Sequence, residues 1–223
     1  LWDLASGEQV AELKHLEVYG LSFSPDGKTL ATAGWDKKLR FWETSTGTLE
    51  REFEIKPEKD PDQRLGLLGD DTRLYTVRYA PQGGLLATAH IGGVVRIWDA
   101  ESLTLLNAFS VQELFRYGVM NFSPDGLWLA TGSENRDGHF ARLWDPQTGE
   151  IVWDTGRHQG NLYTVGFGRD NKTLVSGGED GVCYVWDLSP SVKLPEATLP
   201  GLWTAITTDD SKTAYRAMWG LAE

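Results

Sequence analysis

The chain is poor in cysteine: Cys183 is the only one in 223 residues. A single thiol excludes a disulfide within the chain and any Cys-based zinc framework. Cys183 itself is expected to be a small buried hydrophobe in a strand Val182–Trp186. No stretch approaches the roughly 18 apolar residues of a membrane-spanning helix, so no membrane partner is expected. Basic residues are in deficit, 21 against 32 acidic ones, for a formal net charge of -11. No Lys/Arg cluster stands out, and phosphate backbones repel such a surface, so nucleic acid is not an expected partner. Leu1 is not an initiator residue, and the compartment stays open, with the cytoplasm favoured.

Glycine and tryptophan are plentiful, with 25 and 10 copies, and their placement is periodic. Five Trp-acid pairs occur, at Trp2-Asp3, Trp42-Glu43, Trp98-Asp99, Trp144-Asp145 and Trp186-Asp187, spaced 40, 56, 46 and 42 residues apart. Three of these spacings lie near the ~40–45 residues of a propeller blade. Each period opens with an alternating strand: Tyr19–Phe23, Tyr75–Tyr79, Gly118–Phe122 and Tyr163–Phe167. A turn follows, Ser24-Pro25-Asp26-Gly27, Ala80-Pro81-Gln82-Gly83, Ser123-Pro124-Asp125-Gly126 or Gly168-Arg169-Asp170-Asn171. Proline presets φ, and Gly or Asn takes the positive φ that ends such turns. Small residues then crowd the second strand, as in Ala31-Thr32-Ala33-Gly34, and a third strand closes on the Trp. A fourth, more polar strand fills Val10–Leu13, Leu49–Phe53, Leu103–Phe109 and Ile151–Trp153.

Together these motifs resemble the WD-repeat family over residues 1–188. The resemblance implies an all-β WD-repeat β-propeller, with about four to five blades of four antiparallel strands present out of a larger ring. Residues 1–13 read as the tail of an incomplete blade, so the chain is expected to be a piece of a longer polypeptide. It looks like the C-terminal propeller part of large bacterial WD-repeat proteins. Residues 189–200 read as a linker, and 201–223 as the start of a helical C-terminal region, with apolar pairs at helical spacing. A fifth blade, turning at Asp209-Asp210-Ser211, is the competing reading.

The polar residues could suggest Ser-His-Asp catalysis. His15, Thr32, Asp36 and Trp42 recur as His158, Ser176, Asp180 and Trp186, and a single active site needs no second copy. The resemblance implies structural tetrads instead, in which Asp accepts from His, His bonds the hydroxyl, and the hydroxyl meets the indole. The second copy offers Asp70 and Gly92 in these places, and the third offers Glu113 with Asp137 shifted, so both are expected to be looser at the upper edge. His90 and His139 lack neighbours at metal-ligand spacing, and Gly92-Gly93 belongs to a hairpin turn. No metal, cofactor or catalytic residue is expected. Arg40, Arg96 and Arg142 are expected to bridge neighbouring blades through carboxylates.

In this family the loops joining fourth to first strands and second to third strands share one face. Both enlargements, Lys56–Leu68 and Glu134–Phe140, fall there, and recognition usually resides on such loops. Trp35 sits at a hairpin tip where Ile91, Arg136 and Glu179 stand in the other copies. Tyr19, Tyr75 and Tyr163 begin their strands near the same rim. These residues are the candidate partner site of a non-catalytic scaffold for a protein or peptide. The alternatives are an accessory domain of a larger enzyme, such as a bacterial protein kinase, and a propeller enzyme using its central channel.

Overall fold

The structure, a computed structural model, describes residues 1–56, 72–111, 119–135, 138–156 and 158–189, with side chains omitted at 133–135. Residues 57–68, Asp70, Glu113, Arg136, Asp137, the expected linker 190–200 and the expected helical region 201–223 lie outside the described residues.

Alternating apolar runs broken by turn residues produce antiparallel hairpins throughout. The first sheet runs β1 (Val18–Phe23), β2 (Thr29–Gly34), β3 (Lys38–Glu43) and β4 (Leu49–Glu54), in that spatial order. The second repeats it with β5 (Leu74–Tyr79), β6 (Leu85–His90), β7 (Val94–Asp99) and β8 (Leu105–Ser110). The third comprises β9 (Met120–Phe122), β10 (Leu129–Asn135), β11 (Gly138–Trp144) and β12 (Ile151–Asp154). The fourth has three strands among the described residues, β13 (Leu162–Phe167), β14 (Thr173–Gly178) and β15 (Cys183–Asp187). Every pairing is antiparallel, and first strands of successive sheets adjoin, β1 to β5 to β9 to β13. This is the radial arrangement of propeller blades, with the first strands innermost. Gly20 permits the tightest of these approaches: a Cβ there would lie 2.5 Å from Thr76 Cα.

The core lies between sheets, because both faces of each sheet are apolar and each must be covered by a neighbour. Ala31, Ala33, Leu39 and Phe41 meet Leu74, Val77, Leu86 and Trp98 between the first two sheets. Ala87, Ala89, Val95 and Ile97 meet Met120, Phe122, Leu129 and Trp144 between the second and third. Ala130, Ala141, Leu143 and Val152 meet Leu162, Val165, Leu174 and Leu188 between the third and fourth. The period of two is visible within β6, where Leu86 faces one neighbour while Ala87 and Ala89 face the other. Small residues on the second strands let the sheets approach closely. Full burial of each Leu, Val or Phe is worth about 1.5–3 kcal/mol.

The turns carry the expected backbone: φ is +71° at Gly27, +82° at Gly83, +75° at Gly126 and +58° at Asn171. The Asp after a Trp folds the next turn by accepting backbone amides, as Asp3 does from Ser6 at 2.7 Å, Asp99 from Ser102 at 2.7 Å and Asp145 from Gln147 at 2.8 Å, while Glu43 accepts the Ser45 and Thr46 hydroxyls instead.

Three expectations are corrected. Val10–Leu13 is not a strand; the segment before β1 pairs only through a bridge between Trp2 and Gln9. Cys183 is exposed, not buried, because β15 is the outer strand of its sheet among the described residues. Arg40 serves its own sheet, donating to Asp36 Oδ2 at 2.7 Å and Glu52 Oε2 at 2.8 Å, where Lys38 joins the same carboxylate.

One contact recurs at each junction. Trp98 packs edge-on against Phe53 of the preceding sheet, Trp144 stacks on Phe109, and Trp186 packs edge-on against Trp153, with centroids 5.6, 5.2 and 6.2 Å apart. Trp98→Phe should leave a void beside Phe53 and remove an indole donor, lowering the unfolding free energy by about 2–4 kcal/mol in a urea titration.

Candidate functional site

Polar networks knit the upper edge of three sheets. In the first, Trp42 Nε1 donates to Thr32 Oγ1 at 2.9 Å, His15 Nδ1 lies 2.7 Å from that hydroxyl, and His15 Nε2 lies 3.0 Å from Asp36 Oδ1. A neutral ring satisfies every group: Thr32 donates to Nδ1, and Nε2–H donates to Asp36. In the fourth sheet Trp186 Nε1 donates to Ser176 Oγ at 2.7 Å, but there His158 turns Nε2 to the hydroxyl at 2.7 Å and Nδ1 to Asp180 at 3.3 Å. One residue fewer separates His15 from Phe23 than His158 from Phe167. The shorter approach brings the ring in by its opposite edge.

The second sheet departs from expectation. Its upper edge is not loose: Thr88, His90 and Arg96 are fully buried. Trp98 Nε1 donates to Thr88 Oγ1 at 2.9 Å, and His90 Nε2 lies 2.9 Å from the same hydroxyl. Arg96 Nη1 reaches His90 Nδ1 at 3.1 Å. A guanidinium only donates, so Nδ1 accepts and Nε2–H points at Thr88, reversing the direction seen in the other two sheets. The histidine comes from the end of the second strand, two residues after the hydroxyl, and not from the entry loop. That placement was the missed signal. In the third sheet Trp144 Nε1 donates to Thr131 Oγ1 at 2.8 Å, and residues 112–118 and 136–137 at its upper edge lie outside the described residues.

At the rim the candidate aromatic residues separate into one cluster and several single positions. Tyr19 stacks on Trp35 with centroids 4.5 Å apart, and Tyr75 meets both edge-on, at 6.1 and 6.0 Å. The Arg73 guanidinium lies 5.5 Å from the centre of the Trp35 ring. Trp35 thus leaves its own hairpin tip to lie across the start of the next sheet. A bulge explains the tyrosines. The β1–β2, β5–β6 and β13–β14 registers each slip at one residue, between Val18 and Gly20, Leu74 and Thr76, and Leu162 and Thr164. The unpaired residue in each case is the tyrosine, which a bulge turns out of the pleat. Tyr19 is 53% exposed and Tyr163 is 49% exposed. Trp35 Nε1 is shielded from solvent and has no hydrogen-bond partner. Ile91 and Glu179 occupy the tips of the β6–β7 and β14–β15 hairpins.

The WD domain, G-beta repeat model matches residues 7–43, 63–99, 117–145 and 149–187, more than half of the chain. The chain belongs to the WD-repeat family. It is 23% identical to the serine-threonine kinase receptor-associated protein of Gallus gallus, over 94% of this chain and 65% of that protein. It is 27% identical to transducin beta-like protein 3 of Bos taurus, over 83% of this chain and 22% of that protein. A periodic tryptophan protein 2 homolog of Dictyostelium discoideum is 24% identical over 79% of this chain and 18% of its own length. The chain therefore spans less than two thirds of each of these relatives, all of them eukaryotic. WD-repeat proteins generally act as scaffolds for protein interaction.

Within the WD-repeat tetrad of the first sheet, charge and burial set the protonation. Burial disfavours the charged ring and holds His15 below its ordinary 6.5, against the pull of Asp36. Burial also pushes the Asp36 carboxyl up, but the hydrogen bonds from His15 and Arg40 outweigh it and hold it below the usual carboxylate range. Both groups have folded values below their unfolded ones, so the unfolded chain takes up protons first as pH falls. Their stabilising contributions are complete above about pH 6.5 for His15 and about pH 4 for Asp36, and fade below. Unfolding free energy should therefore decline on acidification from pH 7. Asp36→Asn should cost about 1–3 kcal/mol at pH 7 and flatten the decline below pH 4, as chemical denaturation across pH would show.

Proposed function

We propose that this chain is a non-catalytic interaction scaffold that binds a protein or peptide partner through the upper loop face of its sheets. The carrying observation is the Tyr19–Trp35–Tyr75 cluster with Arg73 alongside, lying across two sheets at the rim. Aromatic rings and arginine are the side chains that most often anchor protein interfaces, because they bury large area with few rotamers to freeze. Tyr19 keeps half of its surface in water, so its ring is open to a partner. Tyr19 and Tyr75 stand within strands, and Trp35 sits in the three-residue connection between β2 and β3 with its ring stacked on Tyr19, so little ordering cost opposes binding. Repetition favours a scaffold over catalysis: the His, hydroxyl and acid set occurs in both the first and the fourth sheet, where the hydroxyl holds a tryptophan in place.

The test compares captured partners for the wild-type chain, Trp35→Ala, and Lys28→Ala on the β1–β2 turn at the opposite edge. Partners bound through the rim should weaken by about ten-fold or more with Trp35→Ala and stay unchanged with Lys28→Ala. Equal capture by all three, with melting temperatures preserved, would remove the cluster from the binding site.

A further inference from the structure

A second feature of this rim lies between the third and fourth sheets. The enlarged β10–β11 hairpin is not a free loop: its extra residues pair, extending the register to Asn135 opposite Gly138. The lengthened strand carries His139 to the entry of the next sheet, where the His158 amide donates to the His139 carbonyl at 2.8 Å. Between this extension and the β14–β15 tip lies a cleft of about 580 Å³, lined by His139, Asn161, Glu179, Asp180 and Tyr184 among others.

The lining is rich in acceptors. Glu179 Oε2 receives Asn161 Nδ2 at 2.8 Å, an arrangement that fixes which end of the amide is oxygen. Asn161 Oδ1 is then left buried with no partner, and His139 Nδ1 is buried without one as well. Glu179 is exposed, and its Oε1 takes part in no hydrogen bond among the described residues. Asp180 adds a second negative charge. Burial pushes its carboxyl up, but the amides of Val182 and Gln159 and the His158 ring outweigh this and hold it below the ordinary range. No lysine or arginine lines the cleft among the described residues. An anion would meet two carboxylates there, and an apolar group would strand the acceptors. A cation that donates hydrogen bonds suits both the charge and the open Glu179 Oε1.

We propose that this cleft receives an arginine side chain presented by the partner. A guanidinium carries five donors in a planar fork, which can serve the neighbouring carboxylates of Glu179 and Asp180 together. An ammonium is a more strongly hydrated point charge and loses more on leaving water. The inference rests on the reading of this rim as a protein-binding face, and it names one group that the partner contributes.

The test titrates the chain with a short Gly/Ser peptide carrying one central arginine, and with counterparts carrying lysine or citrulline, by calorimetry. The arginine peptide should bind saturably. The citrulline peptide, which keeps the shape and loses the charge, should bind at least about ten-fold more weakly. Glu179→Gln should weaken the arginine peptide by about five-fold or more and Glu179→Lys should abolish its binding, both with unchanged melting temperatures because Glu179 is exposed. Trp35→Ala should leave this titration unaltered. Absence of saturable arginine binding, equal binding of citrulline, or indifference to Glu179→Gln would overturn the proposal, and lysine binding as tightly as arginine would overturn its guanidinium assignment. None of these results touches the Trp35 capture experiment, which stands or falls separately.

Discussion

The tryptophan that ends each third strand holds this molecule together in two directions. Its indole N–H donates to a Thr or Ser hydroxyl on the second strand of its own sheet, at 2.9, 2.9, 2.8 and 2.7 Å for Trp42, Trp98, Trp144 and Trp186. For the last three, the ring also packs against an aromatic residue of the sheet before it. A polar bond inside the sheet thereby fixes the position of the largest apolar group between sheets. A buried hydroxyl must be satisfied, and the indole satisfies it at the place where packing needs a flat ring.

What varies from sheet to sheet is how the hydroxyl's other side is satisfied. Two sheets use a histidine from the entry loop, entering by opposite ring edges, and a third uses a histidine from its own second strand backed by a buried arginine. The constraint is the buried hydroxyl and not the identity of the donor. Any neutral imidazole that reaches it will serve, provided a carboxylate or a guanidinium sets the tautomer. The sheets can therefore drift in loop length while keeping their stacking. Loop variation of that kind supplies the rim with its differences: a tryptophan laid across one junction and an acceptor-lined cleft at another.

Much of the architecture was legible in the chain because it is local. Turn chemistry at Ser24–Gly27 and its counterparts, period-two alternation and the spacing of the Trp-acid pairs depend on residues near one another in sequence, and the strands lie within a few residues of their expected bounds. The His15 and His158 sets were readable because the loop residue, the hydroxyl and the acid keep nearly constant offsets. His90 escaped because it lies outside that offset pattern, on the second strand itself and two residues after the hydroxyl it meets. Cys183 misled for the opposite reason: its local pattern is that of a core strand, but the strand that would cover it is not among the described residues.

The sequence by itself determined the repeat, the strand order within each sheet and the residues available at the rim, since these follow from short-range sterics and hydrophobic alternation. Only the tertiary structure decided which of those residues meet. Three bulges turn Tyr19, Tyr75 and Tyr163 outward, the stacking of β1 on β5 brings two of them to Trp35, and the extended β10–β11 hairpin closes one wall of a cleft. Such contacts join residues of different sheets, and their geometry is set by how closely whole sheets pack, a quantity that no local pattern encodes.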